Sequence, residues 1–489
     1  MTALNNVKEC AVQTGTKPDE TGVLIVGAGP TGLALAVDLA RRGVSALAVE
    51  QAAGLFPGSR GKGLQPRTQE VFDDLGVIGA VVASGSPAPL NMVWRDGRRQ
   101  GEYSMFGDVP EPSEARPYDR PWLLPQWRTA EILYDRLTGL GGRVAFGTAL
   151  TGLSQDADGV TAELSTGARI RAAYLVGADG GRGTVRRTLG IGMTGETVDP
   201  APVLVADVRI PSLDREHWHV FPGDDGGFGN EGHYGDYAAI CPLPGTEDFQ
   251  LVARFSEGEP DTSADGVRKT VAARTHLGAD AVTEVRWASD FRPRAALADR
   301  FREGRVFLAG DAAHVHSPAG GQGLNTSVQD AYNLGWKLGQ VLLYGADPAL
   351  LDSYERERRP VAQEMLGLST RIHRGQARRG EATRQLGLGY RGGPLAEGAA
   401  GALVAGDRAP DARLGGGTRV FDLLRGPHAT LLAVGTEAPA VPAPFVRVHR
   451  IPPAEAYGTG LFLVRPDGYV GWAGTDPTGL AGYLARLGG

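Results

Sequence analysis

The sequence predicts an α/β protein: a parallel, doubly wound sheet, interrupted by a mostly antiparallel one and followed by a small α/β unit. Three observations predict it. A short apolar run at 23–26 ends in glycines and opens a helical pattern, and a second run at 46–49 completes a βαβ unit. Residues 201–296 are less glycine-patterned and richer in alternating apolar positions, as antiparallel strands are. Beyond a Gly/Ala-rich stretch around 387–406, further strand patterns recur at 429–434, 445–449 and 461–464.

Taken in order, residues 1–20 are polar and lack the basic start and apolar run of a signal peptide, so they read as a disordered tail. The run 23–26 reads as a buried parallel strand. The helix after it keeps Leu35 and Leu39 on its apolar face and ends at Gly43. Strands are expected at 143–146, 160–165, 168–171 and 174–176, with Asp158-Gly159 and Thr166-Gly167 at turns. Residues 203–208 and 249–255 belong to the inserted sheet. Residues 305–309 return as a buried strand, and a long helix starts near 326, with Val328, Ala331, Leu334, Leu338 and Val341 at helical spacing. Arg465-Pro466-Asp467-Gly468 forms a turn. The resulting division is a nucleotide-binding unit at 21–200 and 297–395, with an excursion near 85–122, the inserted sheet at 201–296, and a C-terminal unit at 400–489.

Composition narrows the function. A net charge of -6 argues against a broadly basic nucleic-acid surface. No window reaches the roughly 18 apolar residues that span a bilayer. The two cysteines, Cys10 and Cys241, provide neither a disulfide framework nor metal-ligand spacing, which fits a reduced cytoplasmic setting without a structural metal.

The strongest local signal is Gly27-Ala28-Gly29-Pro30-Thr31-Gly32. Gly27 allows the tight turn, Gly29 lets the backbone approach a pyrophosphate, and Gly32 lets helix and strand pack closely. Glu50, followed by Gln51, stands where a carboxylate can accept a ribose 2′-OH, which suits FAD or NAD and disfavours a 2′-phosphate. This is a Rossmann-like signature. A second string, Gly190-Ile191-Gly192-Met193-Thr194-Gly195, follows a helical stretch at 184–189 and reads as a loop. In a third signal the strand 305–309 delivers Gly310-Asp311 to its carboxyl end, and Ser317-Pro318-Ala319-Gly320-Gly321-Gln322-Gly323-Leu324-Asn325 opens the long helix. Asp311 suits sugar or ribityl hydroxyls, or else a helix cap. The loop presents backbone N–H groups and a positive helix end, suited to the negative edge of a reduced flavin.

These motifs, with Gly177-Ala178-Asp179-Gly180-Gly181-Arg182 between them, resemble the single-component flavin-dependent aromatic hydroxylases of the para-hydroxybenzoate hydroxylase superfamily. Leu124-Pro125-Gln126-Trp127-Arg128-Thr129 and residues 331–338 are similar to the family as well, and the resemblance covers about residues 22–375. The segment Gly406-Asp407-Arg408-Ala409-Pro410 and residues 464–472 are similar to the thioredoxin-like C-terminal domain of actinomycete members, among them polyketide hydroxylases and rifampicin monooxygenase. Without cysteines that domain has no thiol redox chemistry.

The resemblance implies FAD held without a covalent link and a transient NADPH or NADH donor. O₂ would add to give a C4a-hydroperoxide that hydroxylates an electron-rich phenol, extending to polycyclic polyketides. It places Gly27, Ala28, Gly29, Pro30, Thr31, Gly32, Glu50 and Gln51 at the ADP half. Arg60, Gln126 and Asp311 lie at the ribityl and pyrophosphate groups, and Asp179 serves both FAD and the nicotinamide donor. Pro318, Gly321, Gly323, Leu324 and Asn325 run along the isoalloxazine. Gly183 departs from a usual serine, and Ala130 replaces a common glutamate. His219, His233, Tyr234 and Tyr237 lie in the inserted segment, with His233 or Tyr237 as the candidate base and a surface or packing role as the alternative for each. Met92, Trp94, Trp218 and Phe228 form either an aromatic wall or ordinary core. His314 and His316 lack the company a metal needs. Competing readings are a Baeyer–Villiger or ring-opening flavoenzyme and a non-catalytic redox sensor. A monomer and a homodimer are both open.

Overall fold

The computed structural model describes residues 19–107, 109–223 and 235–489. Cys10, Phe228, His233 and Tyr234 lie outside the described residues.

The first strand, β1 (Asp19–Val26), runs into α1 (Pro30–Arg42) and returns as β2 (Ala46–Val49). The strand begins at Asp19, inside the expected tail, because Asp19 and Glu20 extend its ladder to Ile170 and Arg171. β1 is the centre of the main sheet, whose order is Arg302–Glu303, Val306–Leu308, Arg169–Gly177, β1, β2, Val144–Ala145, with Val160–Leu164 and Leu150–Gln155 branching off Arg169–Gly177. The core strands Val306–Leu308, Arg169–Gly177, β1 and β2 are all parallel. Their carboxyl ends therefore share one edge, where α/β sheets bind ligands. Arg169–Gly177 is one strand, where sequence patterning divides it at 171 and 174. β1 pairs with it along its whole length, while on its other edge the first half pairs antiparallel with Val160–Leu164 and the second half parallel with Val306–Leu308. Α change of partner within one strand changes the burial rhythm without breaking the backbone.

α1 packs against the long helix Gly323–Tyr344, which a second long helix, Asp352–His373, follows. The long helix starts three residues earlier than its apolar spacing indicates. The second glycine string also differs from expectation: Met193–Thr197 is a strand paired with Arg294–Ala298. Gly195 is needed there, since a Cβ would stand 2.1 Å from the Ala295 carbonyl oxygen.

The inserted sheet has seven strands in the order Glu284–Phe291, Val203–Arg209, Asp248–Arg254, Tyr237–Pro242, His217–Pro222, Leu90–Arg95, Arg98–Tyr103. The pairings are antiparallel except that His217–Pro222 runs parallel to Leu90–Arg95, a strand supplied from much earlier in the chain. One face packs on the helix Ala264–Arg274 through Val267 and Val271. The other meets the segment after β2: Trp287 lies against Gly58, whose Cβ would be 2.3 Å from the indole.

The C-terminal unit is a six-stranded mixed sheet centred on Ala429–Val434, Gly460–Val464 and Val470–Gly474. It is fastened to the long helices through buried charges. Arg465 bonds Glu357 at 2.7 Å and Asp467 at 2.6 Å, and Lys337 bonds Glu357 at 2.8 Å. Among the described residues, no helix is long and apolar enough to cross a membrane.

Candidate active site

The cleft forms where three glycine-bearing turns meet. Gly27 has φ +108° and lies so close to the next turn that a Cβ would be 2.4 Å from the Ala178 carbonyl oxygen. A Cβ on Gly32 would be 2.0 Å from the Gly27 oxygen. A Cβ on Gly29 would meet nothing within 4 Å. Two of these glycines are therefore required by packing, and the third faces open space. Pro30 is the first helical residue of α1, and no side chain caps that helix end, so its first N–H groups point outward. Glu50 accepts from the Ala28 N–H (2.8 Å) and the Ala52 N–H (2.9 Å), which ties the glycine turn to the end of β2. Gln51 beside it is exposed.

Thr31 reaches the third turn: a Cβ on Gly310, φ +62°, would be 2.6 Å from its hydroxyl. Asp311 follows. It is open to solvent yet enclosed by protein on several sides, as a group on a cleft floor is. The enclosure raises its carboxyl above the usual range, with His314 and Arg60 pulling the other way. Arg60 projects from the opposite wall, its guanidinium 5.2 Å from the Phe56 ring centroid and 6.0 Å from that of Trp287. Behind the turn, Asp330 accepts from the Gly310 N–H (3.1 Å) and from Arg358 (2.8 Å), and lies 2.5 Å from His314 Nε2. His316 Nε2 is 3.0 Å from His314 Nδ1. This pair of histidines braces the Asp311 turn; among the described residues, no group of three metal-ligating side chains is present.

Several residues expected on the cofactor position the loops around it. Gln126 accepts from the Gly61 N–H at 3.0 Å and donates its own backbone N–H to the Gly61 oxygen. Asn325 accepts from the Gln65 N–H (2.8 Å) and donates to the Gly63 and Gly321 oxygens (2.9 and 2.7 Å), so both its amide hydrogens are engaged within the protein. These bonds fix the first turn of the long helix. That helix also starts without a side-chain cap, and Gly323, Leu324 and the exposed Pro318 border its open end. Asp179 Oδ2 accepts from the Val185 N–H at 2.9 Å. A Cβ at Gly183 would lie 2.2 Å from Asp179 Oδ1, which explains why this chain has glycine there.

The inserted sheet separates the other candidates by face. His219 lies on the helix side, 3.0 Å from the Trp94 indole nitrogen and 2.9 Å from the Asp214 oxygen. Trp94 packs there with Phe221 and His276, so it belongs to the back of the sheet. Tyr237 shares the opposite face with Cys241 and Gln250 by strand alternation. Burial raises the Cys241 thiol to about 11, which leaves it protonated. Sequence reasoning missed Lys62, Asp207 and Gln250, which meet on this face: Gln250 bonds Lys62 and the Ser59 oxygen, and Asp207 accepts from the Ser59 N–H at 3.0 Å. The available signal was the rarity of lysine, five in the whole chain, with one beside Arg60.

Uncapped helix ends, an open glycine position and a carboxylate on the floor define a dinucleotide-binding cleft at the carboxyl edge of a parallel sheet. The FAD-binding domain family matches residues 20–369, and the aromatic-ring hydroxylase C-terminal family matches 403–489. The chain is similar to a flavin-dependent monooxygenase of Mycobacteroides abscessus, 47% identical over 483 residues that cover 95% of this chain and 99% of the relative. It is 35% identical to the 12-dehydrotetracycline 5-monooxygenase/anhydrotetracycline 6-monooxygenase of Streptomyces rimosus, over 95% of this chain and 97% of the relative. Aklavinone-11 hydroxylase, solved in a ternary complex with FAD and aklavinone, shares the fold with a TM-score of 0.81 at 29% identity, covering 96% and 99% of the two chains. The chain belongs to the FAD-dependent monooxygenases of the aromatic-ring hydroxylase family.

Proposed function

We propose that this monooxygenase uses NADPH or NADH and O₂ to hydroxylate a phenolic, polycyclic polyketide of the kind named for its tetracycline and aklavinone relatives. The observation that carries the reading is the joining of three turns around one cleft, open at Gly29 and floored by Asp311. Gly27–Gly32 and Glu50 would hold the ADP half of FAD, Arg60 and Asp311 the ribityl chain, and the start of the long helix the negative edge of the ring. When bound, FAD supplies hydride uptake and oxygen activation. The chain's residues bind and orient the two partners and keep water out. We assign residues 21–200 and 297–395 to cofactor binding and the inserted sheet, with 85–122, to substrate binding. We assign the deprotonation of the phenol to Tyr237, which shares a face of the inserted sheet with Cys241 and Gln250 by strand alternation.

The first test is the absorbance spectrum of the purified protein, which should show a flavin. Anaerobic NADPH or NADH should then bleach it, faster with anhydrotetracycline present, and Tyr237→Phe should slow product formation more than bleaching. A colourless protein that cannot be reconstituted with FAD would overturn the reading.

A further inference from the structure

On the cofactor-facing side of the inserted sheet, one row crosses the strands. Trp287 pairs with Asp207, Asp207 with Gln250, Gln250 with Cys241, and Trp218 with Asn91; the pairing of His219 with Ile240 places Trp218 beside Cys241. Lys62 descends onto this row from the loop whose neighbour Arg60 faces Asp311. Its ammonium bonds Gln250 and lies 4.2 Å from the centroid of the Trp218 ring. The next row along is small and apolar: Val205, Val252, Ala239, Val220 and Val93. Lys62 therefore spans the gap between its loop and the sheet, next to a row of small apolar side chains.

Two features of the row are unusual. Asn91 is fully buried with neither its amide oxygen nor its nitrogen bonded, and the Trp218 indole N–H is buried without a partner. Buried polar groups are nearly always bonded, so the unbonded Trp218 N–H, on a ring 4.2 Å from an ammonium, and the Asn91 amide on the strand paired with it mark a place for a polar ligand atom. The ammonium has three N–H groups, of which Gln250 occupies one.

We propose that Lys62, with the Trp218 indole N–H and the Asn91 amide, binds an ionised phenol oxygen of the substrate and favours its phenolate form. The proposal rests on the hydroxylase reading above, because a phenolate is the activated form for oxygen transfer. Burial lowers the Lys62 ammonium, and Asp207, Cys241 and Arg379 are the ionisable groups facing it. A phenolate oxygen would compensate that burial as a charge-assisted hydrogen-bond partner.

The test uses the FAD-loaded enzyme and 4-nitrophenol, whose phenolate is yellow, titrated between about pH 5 and 9, on either side of its own ionisation. Bound 4-nitrophenol should ionise at lower pH than free, corresponding to roughly tenfold preference for the phenolate. Lys62→Met should abolish the preference, Lys62→Arg should keep part of it, and Trp218→Phe should weaken it. The methyl ether 4-nitroanisole, which cannot ionise, should bind wild type and Lys62→Met alike. An absent shift in wild type, a shift that survives Lys62→Met, or no binding of 4-nitrophenol overturns the assignment. Flavin absorbance and NAD(P)H bleaching in the same samples separate the two claims: bleaching without the shift overturns only the Lys62 role, and missing flavin overturns the hydroxylase reading itself.

Discussion

Single atoms decide the roles of Gly29 and Gly32, three positions apart in one motif. A Cβ at Gly32 collides with the Gly27 oxygen, so Gly32→Ala should lower stability by about 1–3 kcal/mol or more, read by urea unfolding. A Cβ at Gly29 meets nothing in the protein but would enter the path proposed for the FAD phosphates. Gly29→Ala should therefore weaken FAD binding at least roughly tenfold while the apoprotein unfolds as wild type does. Asp207 is a second residue whose behaviour follows from its surroundings. Burial raises its carboxyl to about 6, against the pull of Ser59 and Lys62. The folded state thus holds the proton more tightly than the unfolded chain, whose value is near 3.8. That contribution favours folding fully below the unfolded value and is lost as pH rises through about 6. Asp207→Asn should gain stability on the order of 1–3 kcal/mol over wild type at pH 8, and nothing at pH 4, in parallel thermal melts. The glycine roles were legible in the sequence because they depend on neighbours within six residues. The Asp207 environment was not, because Ser59 lies 148 positions away.

Among the elements, the long helix shows why boundaries escape sequence reading. Its first turn contains Gly323, a poor helix former, and the apolar rhythm begins only later. The Asn325 bonds to the 63–65 loop fix that turn from outside. In the C-terminal unit, His428 precedes the strand Ala429–Val434. Burial pushes its imidazole down to about 4, and its Nε2 is 3.3 Å from the Leu423 oxygen. A buried neutral imidazole stabilises the fold fully above the unfolded value of 6.5, and the contribution disappears as pH falls through about 4. Wild type should lose on the order of 1–3 kcal/mol from this group between those limits, and His428→Gln should lose correspondingly less in acid unfolding.

At the scale of the whole molecule, the C-terminal unit is joined to the two long helices by charges buried between them. Burial alone would raise Glu357, but Arg465 and Lys337 more than offset it and hold the carboxylate well below its usual range. The Lys337 ammonium is lowered by the same burial to about 8. Removing one partner leaves the others uncompensated, so Glu357→Ala should cost about 3–5 kcal/mol. If the units unfold together, near- and far-ultraviolet signals of wild type should coincide in urea, and those of Glu357→Ala should separate.

The sequence by itself determined the βαβ unit, the order of the three cofactor turns and the existence of an inserted sheet. Each depends on short-range spacing: a strand ending in glycines, a carboxylate at the end of the next strand, alternation along one segment. Tertiary structure decided which face of that sheet meets the cofactor loop, and so separated His219 and Trp94 from Tyr237. It also brought Lys62 to Gln250 across 188 residues and Glu357 to Arg465 across 108. Such contacts are set by chain closure and packing of whole elements, and no local pattern encodes the distance between two residues that only the finished fold makes neighbours.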